Sequence, residues 1–194
     1  MNGRVEFLDV ATTLFRYGLT RSVELRLGSA FRVETIRHEA GTTRVHGVNG
    51  LFFGTKVQLL REAGVVAQAA VILSLAVPVG HDDLVSEHVE PGLVLAVAHV
   101  FSDFWGFSYN LGGYWGEHGR FNLLYTGALG MSLTERLGGY VEVFGGSEGP
   151  VFFDGGVTYL LAANLQLDSS AGFALTEGHS DRFVNIGLSV RLPY

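Results

Sequence analysis

From Arg182 to Tyr194 every second residue is apolar: Val184, Ile186, Leu188, Val190, Leu192 and Tyr194. Between them stand Phe183, Asn185, Gly187, Ser189, Arg191 and Pro193. Side chains of a β-strand alternate between two faces, so this segment has one apolar stripe and one mostly polar or small face. The same pattern recurs along the chain. Val23, Leu25, Leu27, Phe31 and Val33 oppose Glu24, Arg26 and Arg32, and Leu51, Phe53, Val57 and Leu59 oppose Lys56 and Gln58. Trp105, Phe107, Tyr109, Leu111 and Trp115 oppose Ser108, Asn110, Gly112 and Tyr114. Leu123, Tyr125, Leu129, Met131 and Leu133 oppose Asn122, Thr126 and Ser132. A hairpin around Ala162-Ala163-Asn164 sets Phe153, Val157, Tyr159, Leu161, Leu165, Leu167, Phe173 and Leu175 against Asp154, Thr158, Gln166, Asp168 and Ser170. Two segments, 66–79 and 92–101, are nearly apolar on both faces, and alternation does not assign their facing.

The pattern predicts strands near 5–18, 22–35, 47–60, 65–79, 91–101, 104–115, 120–133, 137–146, 151–161, 165–176 and 182–194. Their connections fall into two sets. Tight turns are expected at Leu19–Arg21, Arg61–Gly64, Ser102–Asp103, Thr134–Arg136 and Ala162–Asn164. Longer polar loops are expected at Ile36–His46 and Gly80–Glu90, with shorter ones at Gly116–Gly119, Ser147–Gly149 and Glu177–Asp181. His38, His46, His81, His88, His118 and His179 all fall in this second set. Short turns at one end and longer loops at the other are the habit of an outer-membrane barrel. With no helix to cover so many apolar stripes, lipid is the phase that buries them. The fold class expected is therefore all-β, an up-and-down antiparallel transmembrane β-barrel of about 11–12 strands forming a single domain over residues 1–194. Bacterial barrels have even strand numbers. Either Met1–Val10 supplies an extra short strand or one N-terminal strand is missing.

Composition moves the picture the same way. The chain is 47% hydrophobic and only 16% charged, with 27 Gly, 4 Pro and no Cys; an average globular chain is about 25% charged. Apolar runs fall short of the roughly 20 residues of a membrane helix. The net charge of −6 and the lack of a Lys/Arg cluster exclude nucleic acid as an expected partner. The opening MNGR starts no signal peptide, so an exported protein would here be in mature or trimmed form. Trp105, Tyr17, Tyr159 and Tyr194 fall near the short-turn ends of the apolar stripes, and Trp115, Phe153 and Phe31 near the long-loop ends, as aromatic girdles at two interfaces would.

Candidate chemistry is sparse. Gly145–Gly149 spells G-x-S-x-G, but a hydrolase elbow needs a strand followed by a helix, and here two strands flank it. His81, Asp82, Asp83, Glu87, His88 and Glu90 offer ligands of the kind that chelate a divalent ion, but read first as a solvated acidic loop, and His99 reads as a strand-wall residue. No catalytic residue, metal site or cofactor is expected. The lumen-lining set is Arg16, Glu24, Arg26, Lys56, Gln58, Glu142, Asp154, Asp168, Asn185 and Arg191. Its mixed signs point to internal ion pairs, because unpaired buried charge is costly. Arg26, Lys56, Glu142 and Asp154 are the expected constriction, with Gly112, Gly130, Gly156 and Gly187 leaving space beside it.

Ala11–Leu27 (ATTLFRYGLTRSVELRL) resembles a hairpin of a bacterial outer-membrane transporter family linked to the meta-pathway of phenol degradation. Lys56, Glu90-Pro91-Gly92, Phe101-Ser102-Asp103, Tyr109–Gly112, Ser132–Gly138 and Gly156–Asp168 extend the resemblance over nearly the whole chain from about Val10. The family has one more strand before the RYGL hairpin. The resemblance implies a barrel of about twelve strands, porin-like, in the bacterial outer membrane. It implies a transport role and no catalytic residues. The function expected of the chain is a channel or transporter for small solutes, aromatic or hydrophobic ones among them. The expected partners are membrane lipid, a small-molecule solute, and the outer-membrane assembly machinery through the C-terminal strand. Two alternatives stay open: a soluble lipocalin-like barrel holding an apolar ligand, and a plugged structural membrane barrel.

Overall fold

A computed structural model describes residues 4–38, 41–62 and 66–192. It contains eleven strands: β1 (Arg4–Gly18), β2 (Val23–His38), β3 (Gly41–Leu60), β4 (Gln68–Val77), β5 (Glu90–Val100), β6 (Trp105–Trp115), β7 (Phe121–Ser132), β8 (Leu137–Gly146), β9 (Phe152–Ala162), β10 (Leu165–Ala174) and β11 (Arg182–Val190). A single 3-10 turn, Glu117–Gly119, follows β6. The strands form one sheet whose spatial order is the sequence order, each hairpin beside the next. The β1–β2, β2–β3 and β7-through-β11 pairings are antiparallel. The chain divides into two compact units. One runs through Gln58 and adds Val71–Val94 and Tyr114–Phe121; the other holds Leu59–Ala70, Leu95–Gly113 and everything from Asn122 on.

Three of the tight turns are built alike. Thr20 Oγ1 accepts the N–H groups of Ser22 and Val23, Ser102 Oγ those of Phe104 and Trp105, and Thr134 Oγ1 those of Arg136 and Leu137. In each, the carbonyl of the first residue after the turn takes two backbone N–H groups from the two residues that follow the preceding strand, as Val23 O does from Leu19 at 2.9 Å and Thr20 at 3.1 Å. A hydroxyl at the first turn position satisfies donors that the ladder cannot reach, which is why Ser and Thr sit there.

One expected loop is strand. Ile36–His46 reads as a polar connection, yet β2 continues to His38 and β3 begins at Gly41, paired Arg37↔Thr42 and Ile36↔Thr43. The pattern misleads there because both faces turn polar, while Thr35, Thr42, Thr43 and Val45 still favour extended backbone. The extension sits above two bulges that flank Ala30. On one side Ala11 adopts φ 54° and its carbonyl accepts Thr13 Oγ1 at 2.7 Å. On the other Gly50 adopts φ 76° and its carbonyl accepts Ser29 Oγ at 2.9 Å. Each bulge inserts a residue opposite β2 and re-aims the strand beyond it. Residues 4–10 belong to β1 itself, so among the described residues Met1–Val10 supplies no separate strand.

What the sheet lacks is an apolar core. Ala69 and Ala70 are the buried hydrophobic residues, and no larger side chain is fully buried among the described residues. The apolar stripes lie open instead: Val184 is 72% exposed, Ile186 79%, Leu188 63% and Val190 58%. Leu25, Leu27, Leu123, Val157 and Leu161 are exposed in the same way, and Val23 and Leu129 partly so. The structure also orients the two undecided segments, since Leu73 and Leu75 within β4 and Leu93 and Leu95 within β5 are exposed on one face, while Val100 is exposed at the end of β5. Left in water, such side chains forgo about 1.5–3 kcal/mol each of burial energy. Trp105, Tyr17, Tyr159, Trp115 and Phe31 of the expected aromatic girdles are exposed and Phe153 half-buried, while Tyr194 lies outside the described residues.

Candidate functional site

The face opposite the stripes carries the charge. In the first unit, Arg16 and Arg26 stand directly across from one another in the β1–β2 register. Glu24, one step along β2, answers both. Arg16 donates from Nε at 3.1 Å and from Nη2 at 2.9 Å, and Arg26 from Nε at 2.7 Å. Lys56 is the register partner of Glu24 on β3, and Gly54 is that of Arg26. Gln58 donates its backbone N–H to Ser22 O at 2.8 Å, closing the short-turn end. Beyond the bulges the pairing resumes on this face with Arg32, which forks onto Asp9 at 2.6 and 2.8 Å over the ring of Phe7, while Arg37 reaches Glu6 at 3.2 Å on the other face. The fork geometry of Arg suits such two-point contacts.

The loop after β4 also lies on this face. A Cβ on Gly47 would meet that of His81, and His81 N donates to Val48 O at 3.1 Å. Gly80 approaches Val48 O so closely that only glycine fits. The acidic loop is thus docked at its His81 end rather than wholly solvated. His81 Nδ1 stands 3.8 Å from Asp83, and no group of three metal-ligand side chains converges among the described residues.

In the second unit the same face is acidic. Glu142 on β8 stands directly opposite Asp154 on β9, and Gly172 on β10 follows in the same row. The next row is Tyr140, Gly156, Ser170 and Asn185; the one after it is Gly138, Thr158, Asp168 and Gly187. Asn185 donates to Ser170 Oγ at 3.3 Å, and Asn110 donates to Thr126 Oγ1 at 2.8 Å. Strands β6–β10 contain Glu142, Asp154 and Asp168 and no Lys or Arg. Ion pairs thus join Arg16, Glu24 and Arg26, whereas β6–β10 offer their carboxylates no cation of their own. Arg191 lies just past β11, exposed, its N–H donated to Asn164 O at 2.9 Å.

Two expected gaps are filled. A Cβ on Gly156 would meet the Tyr140 ring, and one on Gly187 would meet the Asp168 carboxylate. These glycines give room to neighbouring side chains, not to open space. The pattern also passed over three rings. Phe144, Phe152 and Phe183 lie on the polar face with centroids 5.3, 5.9 and 6.1 Å apart. Their signal was present: each is an aromatic at a position where alternation asks for a polar residue. On the apolar face of the first unit, a groove of about 960 Å³ is lined by Phe15, Leu25, Phe53, Leu73, Leu93 and Trp115 among others. Gly145–Gly149 joins β8 to β9, and Ser147 Oγ accepts Leu123 N–H at 3.0 Å. His99 stacks between Phe101 and Tyr109 on the apolar face.

An up-and-down antiparallel sheet with exposed apolar stripes on one face and paired charges on the other has the architecture of the outer-membrane β-proteins. Among solved structures the chain is similar to an outer membrane channel from Pseudomonas putida F1, at a TM-score of 0.66 and 16% identity over 96% of this chain and 82% of that one. The family model described as putative MetA-pathway of phenol degradation matches residues 4–192, and the chain belongs to that family. No curated protein matches it.

Proposed function

We propose that this chain is a channel of the bacterial outer membrane that passes small, aromatic or hydrophobic solutes. The observation that carries the reading is the exposed apolar stripe shared by the strands in the absence of an apolar core among the described residues. Lipid is the surrounding that converts those stripes from a liability into stabilisation. The reading makes the opposite face the lining of the path, with Arg16, Glu24, Arg26 and Lys56 at one part of it and Glu142, Asp154 and Asp168 at another. Family membership and the resemblance to a channel fold support a transport role. Aromatic or apolar solutes are favoured over sugars because the polar face itself carries Phe52, Phe144, Phe152 and Phe183. A soluble lipocalin-like barrel would bury the stripes inside and charge its exterior, the reverse of what is exposed here.

The test is reconstitution. The purified protein is expected to need detergent, to migrate differently on gels before and after heating, and to accelerate entry of small aromatic alcohols into liposomes. A folded, lipid-inserted protein whose liposomes are no more permeable than protein-free ones assigns it instead to the plugged structural barrel.

A further inference from the structure

Asp154 is the most deeply buried charged residue of the second unit, 4% exposed, and its Oδ1 has no hydrogen-bond partner among the described residues. Tyr140 and Ser170 stand in the next row of the same face, and that oxygen is still left over. Glu142 stands directly across the ladder from it. Like charges facing each other on one sheet face repel, and no Lys or Arg of β6–β10 offsets them. Two residues farther along β8 and β9, about 7 Å by strand rise, Phe144 faces Phe152, and Phe183 closes a three-ring cluster on the same face. Phe183 and Asp154 meet over Gly172, where a side chain would strike both. A ring face attracts a cation through its quadrupole, and a carboxylate attracts it through charge.

We propose that the polar face of β8–β11 binds a small organic ammonium ion, its charged nitrogen between Glu142 and Asp154 and its aromatic or alkyl group against Phe144, Phe152 and Phe183. The site rests on the reading of this face as the lining of a solute path and narrows the solute class. An anion would be repelled by both carboxylates. A neutral phenol would hydrogen-bond Oδ1 but leave the opposed charges uncompensated. A divalent metal lacks a converging set of three ligands among the described residues. The ammonium ion supplies what each of these lacks: donors for Oδ1, a positive charge and hydrocarbon for the rings.

The experiment is single-channel recording in planar bilayers with a tenfold gradient of benzylammonium chloride, repeated with ammonium chloride. In wild type the reversal potential should fall on the cation's side, with benzylammonium more permeant than ammonium. Glu142→Gln combined with Asp154→Asn should lower the benzylammonium-to-chloride permeability ratio about tenfold or more. Glu142→Gln alone, at a half-buried position, is the second variant should the double one fail to insert. Phe144→Leu should lower the ratio for benzylammonium and leave that for ammonium in place. Chloride as the main carrier in wild type, or an unchanged ratio in a folded Glu142→Gln protein, overturns the site. Equal losses for both cations in Phe144→Leu overturn the aromatic half. Absence of any ionic current from inserted protein overturns the channel reading, and this site with it.

Discussion

In β1–β3, Arg16 and Arg26 both close on Glu24; in β8–β9, Glu142 faces Asp154 with no Lys or Arg on either strand. The two regions share the same alternation and carry similar apolar stripes on their other face. They differ in what the polar face does with charge. On that face β1–β3 hold Arg16, Arg26, Arg32 and Lys56 beside Asp9, Glu24 and Glu34. Glu24 and Asp9 each have an Arg within 2.7 Å. Such a face supplies cations to its own carboxylates. The face of β8–β10 is left with net negative charge and a buried, unsatisfied oxygen. Unsatisfied buried groups are rare enough that each calls for an explanation, and a bound partner is one. Charge pairing in one region thus reads as scaffold, and its absence in the other as a place kept for a ligand.

The largest effect is expected where the two regions do not differ, on the shared apolar face. Leu188→Arg places a charge on an exposed stripe of β11, at a cost of about 2–4 kcal/mol if it sits near the bilayer midplane. Ser189→Arg turns the same charge to the polar face and should cost far less. Heat-modifiable gel migration after refolding into lipid compares them. Equal folded fractions would break the assignment of faces in both regions at once.

Next comes the asymmetry itself. Glu24→Gln strands two guanidiniums that face each other across β1–β2. Removing one member of a fully buried pair costs about 3–5 kcal/mol. Glu24 and Arg26 are largely buried but Arg16 is about half exposed, so water screens part of this loss. A destabilisation of about 1–2 kcal/mol by urea unfolding in lipid is the discounted expectation. Arg16→Gln added to Glu24→Gln should recover part of it, because one of the stranded charges is gone. Glu142→Gln should run the other way: it removes a like-charge opposition and should leave stability unchanged or raise it by up to about 1 kcal/mol. Loss of stability in both variants alike would mean that Glu142 is paired after all and that the two regions are one kind of surface.

How far all this was legible follows from what alternation encodes. It encodes facing, so strand positions, the polar identity of Arg16, Glu24, Arg26, Lys56, Glu142, Asp154 and Asp168, and the all-β antiparallel fold could be read directly. It does not encode register, and the contrast between the regions is a register effect. That Glu24 lies diagonal to Arg16 while Glu142 lies squarely opposite Asp154 depends on how hairpins slide into place. Pairing within 36–46 was hidden because polar residues on both faces erase the period of two. Phe144, Phe152 and Phe183 were hidden because each is a lone exception on its own strand and becomes a cluster only across three strands.

The smallest expected effect tests whether both regions are set by the same local rule at their short-turn ends. Thr20 turns β1 into β2, beside the paired cluster; Thr134 turns β7 into β8, the strand of Glu142. The hydroxyls make matching contacts, at 3.1–3.2 Å to the first and 2.9–3.2 Å to the second pair of N–H groups. A hydrogen bond of this kind contributes about 0.5–1.5 kcal/mol net, and at an exposed turn water replaces much of it. Thr20→Ala and Thr134→Ala should therefore each cost about 0.5 kcal/mol by unfolding in lipid, with Ser at either position close to wild type. Equal small losses would mean that the hairpins are nucleated alike and that the regions diverge only in their side chains. A much larger loss for Thr20→Ala would locate the difference earlier, in the turn that sets Glu24 between its two arginines.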